Sequence, residues 1–485
     1  MRCQRRVDAY AHRMAPRHLL INVADGPTFD AAADRLRADL KVPVAFSDEV
    51  LAEAQSAAVD VRLPATDLTH LPFVSIDPQG SRDIDQAMHL EETSAGYRVH
   101  YAIADVGSFV RPGGEIDAES RRRGLTLYSP DSRAPMLPPI LSEDAASLVA
   151  GQVRPACVWT IELDAFGEGV GVEVRRAAIR NREQLSFVEA QERIDAGTDP
   201  MLGLLAEIGG LRVAREQERG GVSLTIPEQE VEPVDGGYAL TFRHSLPVES
   251  WNAQISLMAG GGAAELMLYA EIGVLRTMPA PRIDDVSRLR RVAQGLGVSW
   301  PPDQGYAQFL SGLDVEDPRH LAVQAESMVL VRGAGYSSFD GGIPELATHS
   351  AVGQEYAHCT APLRRLVDRY VAQTCLSICA DQDVPAWVRE ALPQLPSEMA
   401  SAERRASALE NAGIALMEAL VLADRVGEVF SAVVIDSDDG VGTVQLADPA
   451  VRARCDGDNL PLGRRIDVRL TQADPMTRTV RFTAI

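Results

Sequence analysis

The order of strand-like and helix-like patterns along the chain is the feature that most limits its possible folds. Alternating apolar residues come first between about Leu71 and Ala380, as in YRVHYAIADVGSFV, where Val99, Tyr101 and Ile103 fall on one strand face. Helical patterns dominate after about residue 250, as in DDVSRLRRVAQGLG, where an aspartate cap precedes an apolar stripe and a glycine follows it. Strands followed by helices predict an α+β domain.

The length of the chain predicts more than one domain. A single core rarely grows to 485 residues, so the chain should divide into parts. The first part has a strand-like pattern near Leu19 to Val23 and helical patterns near Phe29 to Leu40 and Asp48 to Ala58. We predict a small N-terminal α/β unit at residues 1–65, a large α+β domain at 66–385, a connecting helical segment at 386–422 and a β-barrel at 423–485.

The barrel prediction depends on the alternating pattern of the last sixty residues or so. The segments VFSAVVID, GTVQLA, RIDVRLTQAD and RTVRFTAI are separated by glycine and aspartate turns, which is typical of short strands. Several short strands in so few residues predict a small closed barrel of the OB type. Ten acidic and eight basic residues between Asp424 and Ile485 give it no obvious electrostatic clamp, so a packing role stays open.

Charge and cysteine content exclude several classes of protein. A net charge of −22 argues against a surface that binds polyanions everywhere, because Lys and Arg supply most nucleic-acid affinity. A nucleic-acid ligand would therefore need a local basic channel. The six cysteines contain no C-x-x-C pair and no zinc spacing, so neither a disulfide framework nor structural zinc is indicated.

One apolar stretch, Ile255 to Leu275, is long enough to suggest a membrane span. Glu265 and Glu271 interrupt it, and the glycines at 260–262 weaken it as a helix. The start MRCQRRVDAYAHRM is basic but lacks the apolar segment of a signal peptide. We therefore expect a cytoplasmic protein without a membrane partner.

Three carboxylates crowd the segment VSIDPQGSRDIDQAMHL. Asp77, Asp83 and Asp85 lie between a strand ending near Ile76 and another beginning near Ala87, and we call residues 77–85 the aspartate loop. Such close carboxylates repel one another unless water or a cation separates them. Carboxylates suit magnesium, which keeps waters and takes further ligands from a substrate phosphate. The loop alone leaves two interpretations open, a solvated turn and a catalytic metal site.

A second cluster lies in YAHCTAPLRRLVDRYV. Thr360 is expected to cap a helix with an apolar stripe made of Leu363, Leu366, Val367, Tyr370 and Val371. Arg364 and Arg365 then lie near the helix N-terminus, whose positive partial charge disfavours them. Their placement makes sense if the helix end faces an anion such as phosphate. The alternative is an arginine paired with a nearby acid such as Asp368.

Taken together, these segments resemble the ribonuclease II and R exoribonucleases, which share the RNB catalytic domain. SIDPQGSRDIDQA is similar to their aspartate loop, and YAIADVGSFVRPGGEIDAESRRRGLTLYSPDSRAPMLPPILSEDAASL follows their next block. RGGVSLTIPE, GVLRTMPAP and YAHCTAPLRRLVDRY match later blocks in the same order. The resemblance covers about Leu71 to Ala380, and the tail resembles the C-terminal barrel of that family.

The resemblance implies a divalent-metal-dependent enzyme that degrades single-stranded RNA from its 3′ end to nucleoside 5′-monophosphates. Magnesium is the expected cofactor, with manganese as the alternative. Asp77, Asp83 and Asp85 match aspartates that are catalytic or bind the metal, and Arg364 matches the arginine at the scissile phosphate. No obligate protein partner is indicated.

RNA binding is assigned to an aromatic side chain and two arginines. Tyr128, in TLYSPD, matches a position that stacks on bases near the 3′ end, although half-buried packing on a strand is the alternative. Arg364 and Arg365 are expected to bind the RNA next to it. The family's aromatic partner for this stack has no counterpart in VSLTIPE, which offers Leu224 and Ile226.

The departures from the family pattern keep other functions open. Gln86 stands where the family usually has a fourth metal-site aspartate, so one anionic ligand is lost while an amide oxygen remains. Residues 1–65 are too short for the usual pair of cold-shock barrels. One rival is a catalytically weakened RNA-binding protein of the same fold. Another is an enzyme that trims structured RNA ends.

Overall fold

The computed structural model describes residues 26–129, 131–222, 228–234, 237–243, 245–314, 317–438 and 440–485. For residues 26–28, 228–234 and 237–243 only the backbone is described. The strand predicted near Leu19 to Val23 and the positions Leu224 and Ile226 lie outside these residues.

Helices and strands are interspersed along the described chain. The helices are α1 Gly26–Asp39, α2 Asp48–Asp60, α3 Glu115–Arg123, α4 Phe187–Ala196, α5 Pro200–Glu218, α6 Pro247–Tyr269, α7 Ile283–Gly295, α8 Tyr306–Ser311, α9 Pro318–Ser327, α10 Leu366–Cys379, α11 Ala386–Ala391 and α12 Leu395–Leu422. The strands are β1 Phe73–Ile76, β2 Gln86–Thr93, β3 Gly96–Ala104, β4 Leu127–Tyr128, β5 Arg133–Ala134, β6 Val153–Asp164, β7 Gly169–Leu185, β8 Glu228–Val234, β9 Gly237–Arg243, β10 Ile272–Thr277, β11 Gly335–Asp340, β12 Thr348–His349, β13 Gln354–Glu355, β14 Val429–Asp438, β15 Val441–Leu446, β16 Arg452–Asp456, β17 Arg465–Asp474 and β18 Thr479–Ala484.

Five strands of the large domain close a barrel in the order β1-β2-β3-β6-β7. The closing pair, β1 and β7, is parallel, and the other neighbours are antiparallel. Val99, Tyr101 and Ile103 of β3 are buried as predicted, but His100 and Ala102 are buried too. The alternation did not predict this burial, because it does not show that helices cover the outside of the sheet. Helices α5, α6 and α10 pack against β2, β6 and β7 of the same sheet.

Helices α6 and α10 pack against this barrel, and the predicted α+β fold is confirmed. The apolar stretch Ile255 to Leu275 forms most of α6, a turn at Glu271 and the start of β10. Its glycines permit close packing, because a Cβ on Gly260 would lie 2.1 Å from the ring of Tyr356. Helix α7 matches its predicted segment, but Arg282 rather than an aspartate stands at its N-cap position, and two aspartates follow in the first turn.

The C-terminal strands form the predicted second barrel, closed in the order β14-β15-β16-β18-β17. Helix α12 leads into it and contributes Leu409, Leu416 and Met417 to the barrel's core. Among the described residues, α12 with the turn after it is the one helix long and apolar enough to cross a membrane. Its packing against the barrel accounts for that apolar face.

The two described N-terminal helices pack onto different cores. Helix α1 contributes Phe29 and Leu36 to the core of the C-terminal barrel and packs against α12. Helix α2 contributes Val50 and Ala54 to the core of the large domain and packs against α3. Residues 26–65 therefore connect the two cores, and the domain boundaries stay predictions.

Candidate active site

The aspartate loop joins β1 to β2 at one end of the first barrel, within one residue of the predicted strand limits. The backbone N–H of Asp77 donates to the carbonyl of Leu185 at 3.0 Å, which fixes the start of the loop on β7. Gly80 turns the chain with a φ of 82°, a left-handed conformation that glycine adopts at little cost. The loop therefore leaves its carboxylates at the end of a closed barrel.

Asp85 joins the aspartate loop to the arginine-containing segment. Its Oδ1 accepts a hydrogen bond from the N–H of Leu363, 278 residues away, at 2.8 Å, and its Oδ2 lies 3.3 Å from Nε of Arg364. Only 5% of Asp85 is exposed. Burial raises the pKa of Asp85 to about 7, against the opposing effects of Arg364 and the Leu363 N–H. The two predicted site segments therefore meet.

Asp77 presents an unpaired oxygen to the same site. Its Oδ2 is buried, without a hydrogen-bond partner among the described residues. Burial raises the pKa of Asp77 to about 7, and Asp83 raises it further, whereas Ser75 and Arg364 lower it. A buried carboxylate oxygen beside a second carboxylate favours a cation.

Asp83 has a partner that the sequence did not indicate. Nη1 of Arg133 donates to its Oδ1 at 2.7 Å, and Nη2 of the same guanidinium contacts Glu143 at 2.7 Å. Arg133 lies on β5, where it pairs with Tyr128 of β4. No spacing signal links these residues to the aspartate loop, so only the tertiary structure reveals the contact.

The side-chain oxygen of Gln86 is already hydrogen-bonded within the protein. Its Oε1 accepts a hydrogen bond from the hydroxyl of Tyr101 at 2.7 Å, and that hydroxyl lies 2.7 Å from Oγ of Ser256. Because the tyrosine O–H has one proton, Ser256 supplies the proton for the second bond. One lone pair of the Gln86 oxygen is therefore used inside the protein, and its role as a metal ligand stays a prediction.

The donor set fits a magnesium ion held mainly by solvent and substrate. Among the residues that the structure describes, no three His, Cys, Asp or Glu side chains are placed to hold a metal together. Magnesium usually keeps several waters and binds through one or two carboxylates plus substrate phosphate. The unpaired Asp77 oxygen, with Asp83 close enough to perturb it, matches that requirement.

The segment before α10 differs from its predicted form. The helix begins at Leu366 with Arg365 at the N-cap position, so Thr360 does not cap it. Residues 361–365, which we call the arginine turn, precede the helix instead. The predicted apolar stripe is confirmed, because every member is buried: Leu363, Leu366, Val367, Tyr370 and Val371.

The two arginines of this turn have different surroundings. Arg365 is partly buried, with 15% of its side chain exposed, and donates two hydrogen bonds to Asp368, from Nε at 2.5 Å and from Nη2 at 2.8 Å. The side chain of Arg364 is 48% exposed, and its one ion pair among the described residues is the longer contact with Asp85. The predicted alternative of acid pairing therefore describes Arg365, whereas Arg364 is open to a ligand. Direct RNA contact by Arg365 stays a prediction.

Tyr128 lies beside these groups on the short strand β4. About half of this residue is exposed, so base stacking and half-buried packing on the strand both stay open. Partial burial raises the pKa of its hydroxyl to about 12, and Asp83 and Asp85 add to the rise, while Arg364 opposes it. An exposed aromatic ring next to an arginine suits base stacking beside a phosphate.

An aspartate loop at the end of a mixed barrel, facing an exposed arginine and followed by an OB-type barrel, defines a class of α+β proteins suited to bind phosphodiesters. Comparison with protein families makes the class specific. The RNB domain model matches residues 65–379, and the model of the RNase II-type exonuclease C-terminal S1 domain matches residues 428–485. The chain belongs to the RNB-domain family.

Individual relatives share moderate identity with this chain. It is 28% identical over 402 residues to the exosome complex exonuclease RRP44 homolog A of Arabidopsis thaliana, covering 78% of this chain and 43% of that protein. It is 27% identical over 441 residues to ribonuclease R of Thermotoga maritima, covering 84% of this chain and 61% of that protein. The chain thus spans less than two thirds of the length of these relatives.

The fold also matches a solved structure. RNase R of Mycoplasma genitalium, in complex with ribose methylated single-stranded RNA, superposes with a TM-score of 0.81 at 19% identity. The match covers 93% of this chain and 77% of that one. At this identity the similarity concerns the fold alone.

Proposed function

We propose that this chain is a 3′-to-5′ exoribonuclease that releases nucleoside 5′-monophosphates from single-stranded RNA. The observation that carries the proposal is the junction at Asp85, where a buried carboxylate meets the N–H of Leu363 and the half-exposed Arg364. Membership of the RNB-domain family and the ribonuclease names of its relatives support the same activity.

The proposed roles follow from exposure and contacts. Arg364 binds the scissile phosphate, because its guanidinium is accessible yet oriented by Asp85. Tyr128 stacks on a base near the 3′ end. Asp77 and Asp83 hold the divalent ion, for which we propose magnesium, with manganese as an alternative. A bound ion would make a water more nucleophilic and stabilise charge on the phosphoryl oxygens.

The reaction breaks one bond and forms one. A water oxygen bonds to the last internucleotide phosphorus, and the bond from that phosphorus to O3′ of the preceding nucleotide breaks. The released nucleotide keeps the 5′-phosphate, the shortened chain takes a proton on its 3′ oxygen, and the water loses one. Arg364 stabilises the negative charge that develops on the phosphate during this exchange.

We also propose that the protein acts in the cytoplasm, on free RNA and without an obligate partner. The packing of the apolar helix α12 against the C-terminal barrel supports a site away from membranes. Domain limits at residues 65, 385 and 422 remain part of this proposal.

A weakened RNA-binding protein is the second candidate, and the contact between Gln86 and Tyr101 favours it. Gln86 stands in place of a charged metal ligand, and its amide oxygen already accepts the hydrogen bond from Tyr101.

The deciding experiment incubates purified protein with 5′-labelled single-stranded RNA, with and without magnesium. A magnesium-dependent ladder supports the enzyme, whereas a shifted but intact RNA band supports the binding protein. A duplex with a 3′ overhang, run in parallel, tests the trimming of structured ends.

A further inference from the structure

An ion pair with a fully buried carboxylate lies next to the exposed arginine of the site. Asp368 is fully buried in the first turn of α10, and both of its oxygens accept hydrogen bonds from Arg365. Removing two charges from water is costly, and their mutual attraction often fails to offset that cost. An ion pair in this position therefore calls for a reason other than stability.

Asp368 also holds the far end of the arginine turn. Its Oδ1 accepts a hydrogen bond from the backbone N–H of Ala361 at 2.7 Å. The carbonyl of Ala361 in turn accepts bonds from the N–H groups of Arg364 and Arg365, at 3.2 and 2.9 Å. One carboxylate thus binds the first and the last residue of the turn, and it fixes the direction in which the middle of the turn faces.

The middle of the turn carries the two groups that meet Asp85, the N–H of Leu363 and the side chain of Arg364. The turn's carbonyl at Arg364 accepts a hydrogen bond from the N–H of Thr126 at 3.0 Å, in the segment that leads to Tyr128. The turn therefore lies between the aspartate loop and the proposed base-stacking residue, and a shift of the turn would move Arg364 relative to both.

Arg364 has few contacts that would define its own position. Its side chain is half exposed, and within the part of the chain that the structure describes its one ion pair is the 3.3 Å approach to Asp85. We propose that Arg365 and Asp368 are positioning residues, which lock the arginine turn so that the side chain of Arg364 faces Asp85. This inference rests on the proposed exoribonuclease function and gives Arg365 a role other than direct RNA contact.

The first test separates turnover from binding. Asp368→Asn keeps an acceptor for the Ala361 N–H but loses the charged pair, and Arg365→Lys keeps the charge but loses the two-bond geometry. For both variants we expect kcat to fall about 10- to 100-fold, because misplacement by about 1 Å can cost that much. The dissociation constant for RNA, measured without magnesium, should change less than about three-fold, since one phosphate contact contributes little.

A matched control breaks another ion pair that involves α10. Arg369 of α10 contacts Asp117 of α3 at 2.6 Å, and the other oxygen of Asp117 accepts the N–H of Gly113 rather than a group of the arginine turn. Asp117→Asn should lower the unfolding temperature as Asp368→Asn does, yet leave kcat of the folded protein unchanged. Equal losses of kcat in both variants would mean that general destabilisation, not positioning, explains the effect.

The decisive test combines the changes with Arg364→Ala. If the ion pair acts through Arg364, adding Arg365→Lys or Asp368→Asn to Arg364→Ala should lower kcat by less than about two-fold more, because groups that act as a unit are not additive. Multiplicative losses overturn the positioning role while leaving the nuclease proposal intact. A parent protein that binds RNA but never shortens it overturns the proposed function instead. If Asp368→Asn does not fold, Arg365→Lys alone carries the cycle.

Discussion

At the scale of single residues, Asp85 is the group on which hydrolysis should depend most. Asp85→Asn keeps an oxygen for the Leu363 N–H but removes the charge that faces Arg364. We expect cleavage to be abolished and RNA affinity to change by no more than a few-fold, because losing a negative charge also relieves repulsion toward phosphate. A labelled-RNA ladder and a binding titration measure the two effects. Substantial turnover in this variant would place the reacting site elsewhere.

Arg364→Ala should separate turnover from affinity in a similar way. Removing one charge-stabilising donor typically costs about 100- to 1,000-fold in kcat, and we expect a loss in that range. The half-exposed side chain has little packing to lose, so the unfolding temperature should stay close to that of the parent. A purely structural arginine would do the reverse, with lower stability and normal cleavage by the folded fraction.

Gln86 should set the metal requirement. Its oxygen already accepts the Tyr101 hydroxyl bond and adds no charge, so the site should need relatively high magnesium or favour manganese. Gln86→Asp should lower the metal concentration needed for half-maximal activity. It should also lower the dissociation constant for manganese, measured by electron paramagnetic resonance. Identical binding curves for the two proteins would mean that this side chain does not reach the ion. An inactive parent rescued by Gln86→Asp would favour the RNA-binding rival.

The sequence predicted which residues meet but not what holds them. Asp77, Asp83 and Asp85 stand in a loop whose flanking strands are readable from their pattern, and family blocks link that loop to Arg364. The partners Arg133 and Tyr101 were missed, because they reach the site through strand pairing and carry no local spacing signal.

At the scale of secondary structure elements, the start of α10 shows why local rules were insufficient. Thr360 followed by an apolar stripe indicates a cap, but Pro362 and the bonds from Asp368 favour a separate turn before Leu366. The stripe itself was predicted correctly, since helical spacing depends on burial and not on the cap. Element interiors were therefore predictable, whereas this boundary was decided by a side chain one turn further along.

The hairpin of β12 and β13 should make stability depend on pH. His349 is buried there, and burial together with the nearby Arg276 lowers its pKa to about 4. His349 takes up a proton near pH 6.5 in the unfolded chain but only near pH 4 in the folded one. Its contribution to the free energy of unfolding is therefore fully present above pH 6.5 and is lost as the pH falls toward 4. Between pH 7 and pH 5 the loss from this residue should be about 2 kcal/mol.

Denaturant unfolding at the two pH values measures this loss. His349→Asn removes the titrating group, so the variant's stability should change between pH 7 and pH 5 by about 2 kcal/mol less than that of the parent. His320→Asn provides a control, because that histidine lies on α9 outside the hairpin. An equal pH dependence of stability in the parent and in His349→Asn would mean that folding does not lower the pKa of His349.

At the scale of the whole molecule, one helix joins the two cores, because α12 contributes Leu395 to the core of the large domain and Leu409 to that of the C-terminal barrel. Helix α12 packs its apolar face into the second core, and α1 joins it from the other end of the described chain. The fold class and the C-terminal barrel were predictable from the order and period of the patterns, whereas the closure of the first five-stranded barrel was not predicted. The assignment of α1 to the second core was not, because an amphipathic helix indicates that it packs but not against what.

The charge of the whole molecule bears on how RNA is told from DNA. A net charge of −22 limits non-specific attraction, so binding should depend on local groups such as Arg364 and Tyr128. A guanidinium reads phosphate and an aromatic ring reads a base face, and both features occur in RNA and DNA alike. The 2′-hydroxyl is the group that differs between them, so discrimination should appear in hydrolysis and not in binding. We therefore expect single-stranded DNA to bind within a few-fold of RNA but to be cleaved far more slowly.

Binding titrations and cleavage ladders on three versions of one sequence test this prediction. The versions are RNA, DNA, and RNA with a single deoxynucleotide near the 3′ end, for which we expect a pause at the substituted position. Comparable degradation of RNA and DNA would contradict it.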